Sequence, residues 1–143
     1  MSLFEKKGWY RVAVPEGWEV DSDEEPPAIY RPEGVGALHL TAQAPRPLKP
    51  GERIDVFLML RAYLNQTGVD LHAIPSRRWS ERGVDWASCD YTGDNAEGET
   101  LFWRVWMATN HDVLVFLTYA CREEDKDVER DAVDRIVSSL ELT

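Results

Sequence analysis

The chain has 143 residues and carries 16 Lys plus Arg against 26 Asp plus Glu, a formal net charge of −10. With 43% hydrophobic and 29% charged residues, its composition is that of a folded globular protein and not of a disordered one. The charge repels phosphate backbones, which sets general DNA or RNA binding aside, and the length suits a single domain, residues 1–143, with one sizeable core.

Behind Met1 to Gly8 no apolar run of signal-peptide type follows, and Val113 to Cys121, the longest apolar stretch, is far short of the roughly 20 residues that cross a bilayer. The expectation is a cytoplasmic protein without membrane insertion. Trp9 to Val14 alternates as a strand and runs into a turn, Pro15-Glu-Gly-Trp18. From Glu19 to Pro27 the sequence is acidic and Pro-containing and reads as an exposed loop. Ala28 to Arg31 and Ala37 to Ala42 are two strands joined by Pro32-Glu-Gly-Val-Gly36, whose glycines supply the positive φ of a tight hairpin.

Pro45, Pro47 and Pro50 hold the next segment extended. From Glu52 to Gln66 the apolar residues Ile54, Phe57, Leu58, Tyr63 and Leu64 follow helical spacing, which predicts a helix of about four turns ended by Gly68. Ser76 to Ser80, Val84 to Tyr91, Leu101 to Thr109 and Val113 to Cys121 are four strands of an antiparallel meander, with hairpin turns at Glu81-Arg-Gly83 and Asn110-His-Asp112. Asp125 to Leu140 predicts an amphipathic helix capped by Asp125, with Val128, Ala132, Ile136 and Leu140 on its apolar face. The order β-β-β-α-β-β-β-β-α predicts an α+β domain: an antiparallel sheet of six or seven strands with two helices packed on it. Cys89 and Cys121 fall in apolar strands. Reduced, buried thiols are the expectation, and a disulfide is the alternative that a Cα separation under about 7 Å would allow.

Val14-Pro-Glu-Gly-Trp18 closing the first strand, Tyr30-Arg-Pro-Glu-Gly-Val-Gly36 leading into another, and Leu117-Thr-Tyr-Ala-Cys121 followed by the helical Ala132-Val-Asp-Arg-Ile-Val-Ser-Ser-Leu140 form a pattern over nearly the whole chain. It resembles the PsbP-like fold, the group of photosystem PsbP subunits, a Ran-binding nuclear-import factor and EagR-type chaperones of bacterial effectors. The resemblance implies an α+β fold and a non-enzymatic binding domain working through protein contacts.

Motifs for chemistry are lacking. His39, His72 and His111 lie far apart in sequence, without a Cys-x-x-Cys or His-x-x-x-His pairing, so no metal is expected. Cys121 and His111 stand at opposite ends of one strand, about nine residues at roughly 3.3 Å each, too far apart for a nucleophile and its base. Asp90 to Glu99 departs from the spacing of a calcium loop, and Gly34-Val-Gly36 has no third glycine and leads into a strand rather than a helix, so no cofactor is expected.

Two features stand out. Six Trp, five Tyr and four Phe make 10% of the chain and concentrate in the predicted strands. Trp103 and Trp106 fall on opposite sheet faces by parity. Either the rings fill the core, or Trp79, Trp86, Trp103 and Trp106 with Arg104 form an aromatic contact surface. Arg77, Arg78 and Arg82 form a basic spot in an acidic chain, suited to a carboxylate-bearing partner or an anionic ligand. The function read from these residues is that of a binding or adaptor protein, of bacterial effector-chaperone or immunity type, whose partner is another protein. A small-molecule-binding or hydrolytic enzyme with a Trp-lined pocket is the alternative.

Overall fold

The computed structural model describes all 143 residues, Met1–Thr143. Ten strands run in the order β1 (Ser2–Lys6), β2 (Tyr10–Val14), β3 (Glu19–Asp21), β4 (Ala28–Tyr30), β5 (Gly36–Gln43), β6 (Ser76–Glu81), β7 (Val84–Asp94), β8 (Thr100–Thr109), β9 (Leu114–Arg122) and β10 (Glu141–Leu142). Helix α1 (Val56–Gln66) lies between β5 and β6, and helix α2 (Arg130–Ser138) between β9 and β10. A seven-stranded sheet has the spatial order β3-β4-β5-β9-β8-β7-β6, and β1, β2 and β10 form a second, three-stranded sheet. Every strand pairing is antiparallel. The expected meander is present as β6-β7-β8-β9, and the expected β4–β5 hairpin pairs Ala28 with His39 through Tyr30 with Ala37.

Side-chain alternation divides the large sheet into two apolar faces. On one, Leu38, Leu40, Trp86, Phe102, Trp106, Val115, Leu117 and Tyr119 pack against Val133, Ile136 and Val137 of α2 and against Tyr10, Val12 and Val14 of the small sheet. On the other, Ala87, Cys89, Val105, Met107 and Leu114 meet Val56, Leu60 and Leu64 of α1. The architecture is thus α1, the seven-stranded sheet, then α2 with the small sheet. Cys89 and Cys121 are both free and buried, in different faces' clusters. No helix is long and apolar enough to cross a membrane.

Several expectations change. Residues Trp9 to Val14 were expected in the main sheet, but β2 belongs to the small one, between β1 and β10. The acidic stretch begins as a strand, β3, because Glu19 to Asp21 pairs with Tyr30 to Ala28. Helix α1 starts at Val56, not Glu52. Asp55 is extended (φ −94°, ψ 98°) and its carboxylate accepts from the Leu58 amide, whereas the Glu52 carboxylate is drawn back to Lys49 N–H and Arg46.

The last helix is shorter than its periodicity predicts. Glu123–Asp125 is a single 3₁₀ turn, Asp125 caps nothing, and Val128 is 56% exposed and off the apolar face. Glu129 occupies the N-cap position, and its side chain is turned inward to the Tyr119 hydroxyl, which donates to Oε1 at 2.8 Å. Arg31 Nε lies 3.2 Å from the other carboxylate oxygen. The positive φ of the β4–β5 turn falls on Glu33 (φ 60°) and on neither glycine. Gly34 is needed for closeness instead: a Cβ there would stand 2.5 Å from Glu129 Oε2, and one on Gly36 would stand 2.7 Å from Cζ and the hydroxyl of Tyr119.

Candidate functional site

The register shows what the aromatic residues do. Trp79 and Trp86 face each other across β6 and β7, and their rings stack at 5.4 Å and 4°. Tyr91 and Trp103 do the same across β7 and β8, at 6.2 Å and 9°, on the opposite face of the sheet. Trp103 and Trp106 fall on opposite faces, as parity predicts. Trp86 and Trp106 are buried at 7% and 5% exposure, while Trp9, Trp18, Trp79 and Trp103 are half-buried.

The expected exposed aromatic surface around Arg104 is therefore not formed. Arg104 is 8% exposed, its Nη2 donates to Asp134 of α2 at 2.6 Å, and its guanidinium lies 4.8 Å from the Trp106 ring centre. The reason is parity. Arg104 shares a sheet face with Trp106 and so lies beneath α2, where it ties the helix to the sheet. Trp103 is left on the α1 side.

The other arginines lie at the surface, at one end of the sheet. β6 is the terminal strand and pairs only with β7. Alternation sends Arg77 to the α2 side and Arg78 to the α1 side. Arg77 lies over the Trp79 ring at 4.9 Å, and Arg78 over the ring of Phe57 on α1 at 4.7 Å. Neither forms an ion pair with any carboxylate of the chain. Stacking on an aromatic face orders a guanidinium without consuming its in-plane N–H donors. Arg82 differs. It sits in the two-residue β6–β7 loop with φ 53°, followed by Gly83 at φ 78°, the pair of left-handed residues that such a loop demands, and it lies 3.9 Å from Glu81.

Between β6 and the start of α1 runs an open groove of about 610 Å³, lined among others by Arg53, Asp55, Phe57, Arg78, Ser80 and Asp85. Beyond Phe57, Arg61 on α1 reaches His72 Nε2 at 3.3 Å, and the His72 ring lies 6.0 Å from that of Phe57. The acids of this region are already engaged: Asp55 caps α1, and Asp85 accepts from Ser80 at 2.7 Å, from Arg53 at 3.1 Å and from His111 Nε2 at 3.1 Å.

His111 is the residue whose role the sequence concealed. It stands in its expected turn, at φ 75°, but its Nδ1 accepts the Ile54 amide at 3.1 Å and so fastens the entry to α1 onto the β8–β9 turn. With Nδ1 accepting and Nε2 bonded to Asp85, both ring nitrogens are occupied, and the imidazole is not a free general base. The Ser80 bond first, then Arg53 and His111, hold the Asp85 carboxyl below its ordinary range against the opposing effect of its partial burial, so it stays ionised and has no proton to give near neutrality. Burial pushes the Cys89 thiol up to about 12 and raises that of Cys121, which keeps both from the thiolate form a nucleophile needs. No three His, Cys, Asp or Glu side chains are grouped to hold a metal ion.

No protein-family model matches the sequence, and no curated protein matches it. Solved structures do match in shape. A crystal structure from Bacteroides thetaiotaomicron aligns with a TM-score of 0.65 at 14% identity over 99% of this chain, which spans about half (48%) of that longer protein. The solution structure of cyanobacterial PsbP (CyanoP) from Synechocystis sp. PCC 6803 aligns with a TM-score of 0.61 at 18% identity, covering 99% of this chain and 92% of that one. LpqN of Mycobacterium tuberculosis, a protein involved in cell envelope biogenesis, aligns with a TM-score of 0.62 at 11% identity, covering 94% and 83% of the two chains. At these identities the likeness is one of fold, and the chain has the PsbP-like α+β fold.

Proposed function

We propose that this chain is a binding or adaptor protein that holds another protein at the β6 edge and the groove beside α1. One observation carries the reading. In a chain of net charge −10, two arginines on the terminal strand are held in place by aromatic rings and left without carboxylate partners. Arginine, tryptophan and phenylalanine brought together at a surface are the side chains that anchor protein contacts. The enzyme reading has no comparable support, because His111, Asp85 and the two cysteines are each committed to structure.

Site-specific photo-crosslinking tests this. A photoreactive residue replaces Ser80 in one version and Lys126, on a remote loop, in another, and both are irradiated in the native cell. One protein trapped in stoichiometric yield through position 80, not through position 126, and lost on Arg77→Glu/Arg78→Glu, is the expected outcome. Equal trapping at both positions, or none at position 80, refutes the reading.

A further inference from the structure

The edge that carries the arginines is also an unpaired strand. Glu81 and Val84 flank a two-residue loop and form the hydrogen-bonded pair that closes it. Antiparallel pairs alternate between bonded and non-bonded, so Trp79–Trp86 and Arg77–Ser88 are bonded next. The amides and carbonyls of Ser76, Arg78 and Ser80 consequently point away from β7, and no other backbone group of the chain meets them. From Ser76 to Ser80 they form a row about 13 Å long at roughly 3.3 Å per residue.

The opposite end of the same sheet is treated differently. β3 there is three residues long and leads into an acidic turn and two prolines, which are common means of blunting an edge. β6 has six residues in unbroken register, with no proline and no bulge. Charged side chains alone can guard an edge, and Arg77 and Arg78 serve in that way against apolar strands. Guarding does not require ordered guanidinium groups, one on each face of the strand and both unpaired, and these two features favour an acidic visitor.

Resting on the binding reading above, we propose that β6 receives an extended acidic segment of the partner as an eighth strand of the sheet. The outward groups of Ser76, Arg78 and Ser80 supply the ladder. Arg77 on one face and Arg78 on the other take carboxylates of adjacent residues of the incoming strand, since neighbouring side chains of a strand point to opposite faces. The in-plane N–H groups of each stacked guanidinium suit a two-point bond to a carboxylate. The nearby acids do not repel the visitor strongly, because Asp85 is balanced by Arg53, Asp55 is bonded to the α1 amide and Glu81 lies against Arg82. The net charge of −10 disfavours acidic peptides over most of the remaining surface.

The test is fluorescence anisotropy with an end-blocked, labelled octapeptide in which Glu and Val alternate in pairs (Val-Glu-Glu-Val-Val-Glu-Glu-Val), so that adjacent carboxylates lie on opposite faces of the strand. A Lys–Val peptide is the charge control, and a Glu–Val peptide N-methylated at alternate residues, in both registers, is the backbone control. The protein is used whole, as wild type and as Arg77→Glu, Arg78→Glu, Ser80→Ala and Ser80→Pro, with circular dichroism confirming the fold of each. Proline at position 80 removes an outward amide without touching the β6–β7 ladder. Ser80→Ala accounts for the lost bond to Asp85.

Binding of the Glu–Val peptide is expected, weakened at least tenfold by either arginine reversal, lost with N-methylation and with Ser80→Pro, and retained in Ser80→Ala. Absence of Glu–Val binding, or equal binding of the N-methylated peptides, overturns strand addition. If position 80 nevertheless traps a partner in the cell, the groove reading survives and only the strand mode falls. Reversible dimers that vanish in Arg78→Glu and in Glu19→Arg/Asp21→Arg would make the acidic strand that of a second copy, and would overturn the partner assignment.

Discussion

Removing the hydroxyl of Tyr119 tests how α2 is held to the sheet. That hydroxyl donates to Glu129 Oε1 at 2.8 Å, and the two residues are 1% and 3% exposed. The only ion-pair partner of the carboxylate is Arg31 at 3.2 Å, whose side chain is 45% exposed and therefore screened by water. A hydrogen bond to a charged group contributes about 1.5–3 kcal/mol, and losing the Tyr119 hydroxyl leaves the buried carboxylate with only the water-screened Arg31 as partner. Tyr119→Phe is therefore expected to lower stability by about 2 kcal/mol. At this chain length that is about 6–8 °C in Tm, taking roughly 3–4 °C per kcal/mol. Urea unfolding followed by far-UV circular dichroism measures it, with an unchanged m-value as the sign that only stability moved. In a Glu129→Leu background the same Tyr119→Phe change is expected to cost under about 0.5 kcal/mol, giving a coupling of at least about 1 kcal/mol. A Tyr119→Phe cost below about 0.5 kcal/mol in the wild type, or equal costs in both backgrounds, would refute the role given to this pair.

Alkali is expected to unfold the protein through its buried acids. Burial pushes the Cys89 thiol and the Tyr10 and Tyr91 phenols up to about 12, whereas in the unfolded chain they ionise near ~8.5 and ~10. Between those values the unfolded state binds fewer protons. Stability is therefore full below about pH 8.5 and declines as pH rises toward 12, and urea midpoints at rising pH should fall with a slope that Cys89→Ala reduces. On the acid side the sign reverses for Asp85. Its contribution is present above the unfolded value near ~3.9 and is lost as pH falls through its lowered folded value, so Asp85→Asn should flatten the acid limb of the stability curve. His111→Ala leaves the Ile54 amide without its acceptor and should cost about 1–2 kcal/mol, with amide hydrogen exchange speeding up at Ile54 to Leu58 and not at α2; uniform speeding would contradict the local role. Gly36→Ala drives a methyl group into the Ala120 carbonyl and the Tyr119 ring and should cost about 2–3 kcal/mol, and an unchanged melting temperature would contradict it.

The edge site was half legible in the sequence. Arg77, Arg78 and Arg82 were visible as a basic spot against the acidic background, because charge is a property of composition. What the spot faces was not visible. Phe57 reaches Arg78 only because α1 crosses the sheet beside β6, and Trp79 meets Trp86 only through the register of their hairpin. Trp103, Arg104 and Trp106 read as one surface cluster since they are close in sequence, yet α2, arriving more than 20 residues later, covers one face of β8 and buries Arg104 and Trp106 while leaving Trp103 on the other. Glu129 was one acid among many, and nothing local marks it as the one that turns inward.

Periodicity and turn chemistry are local, and so the sequence by itself determined the strands of the meander, the β4–β5 hairpin, the existence of both helices, the α+β class and the resemblance to the PsbP-like fold. The tertiary structure decided whatever depends on pairing across the chain. β1, β3 and β10 are two to five residues long and too short to carry a periodic signal, and they exist because a partner strand satisfies their amides. The helix starts depend on where the Asp55 and Glu129 side chains find partners, and the position of β6 as the last strand of its sheet depends on β5 pairing with β9 around the inserted meander. Charge pattern and hydrophobic period are written residue by residue, whereas burial and an open edge are properties of what comes to lie alongside.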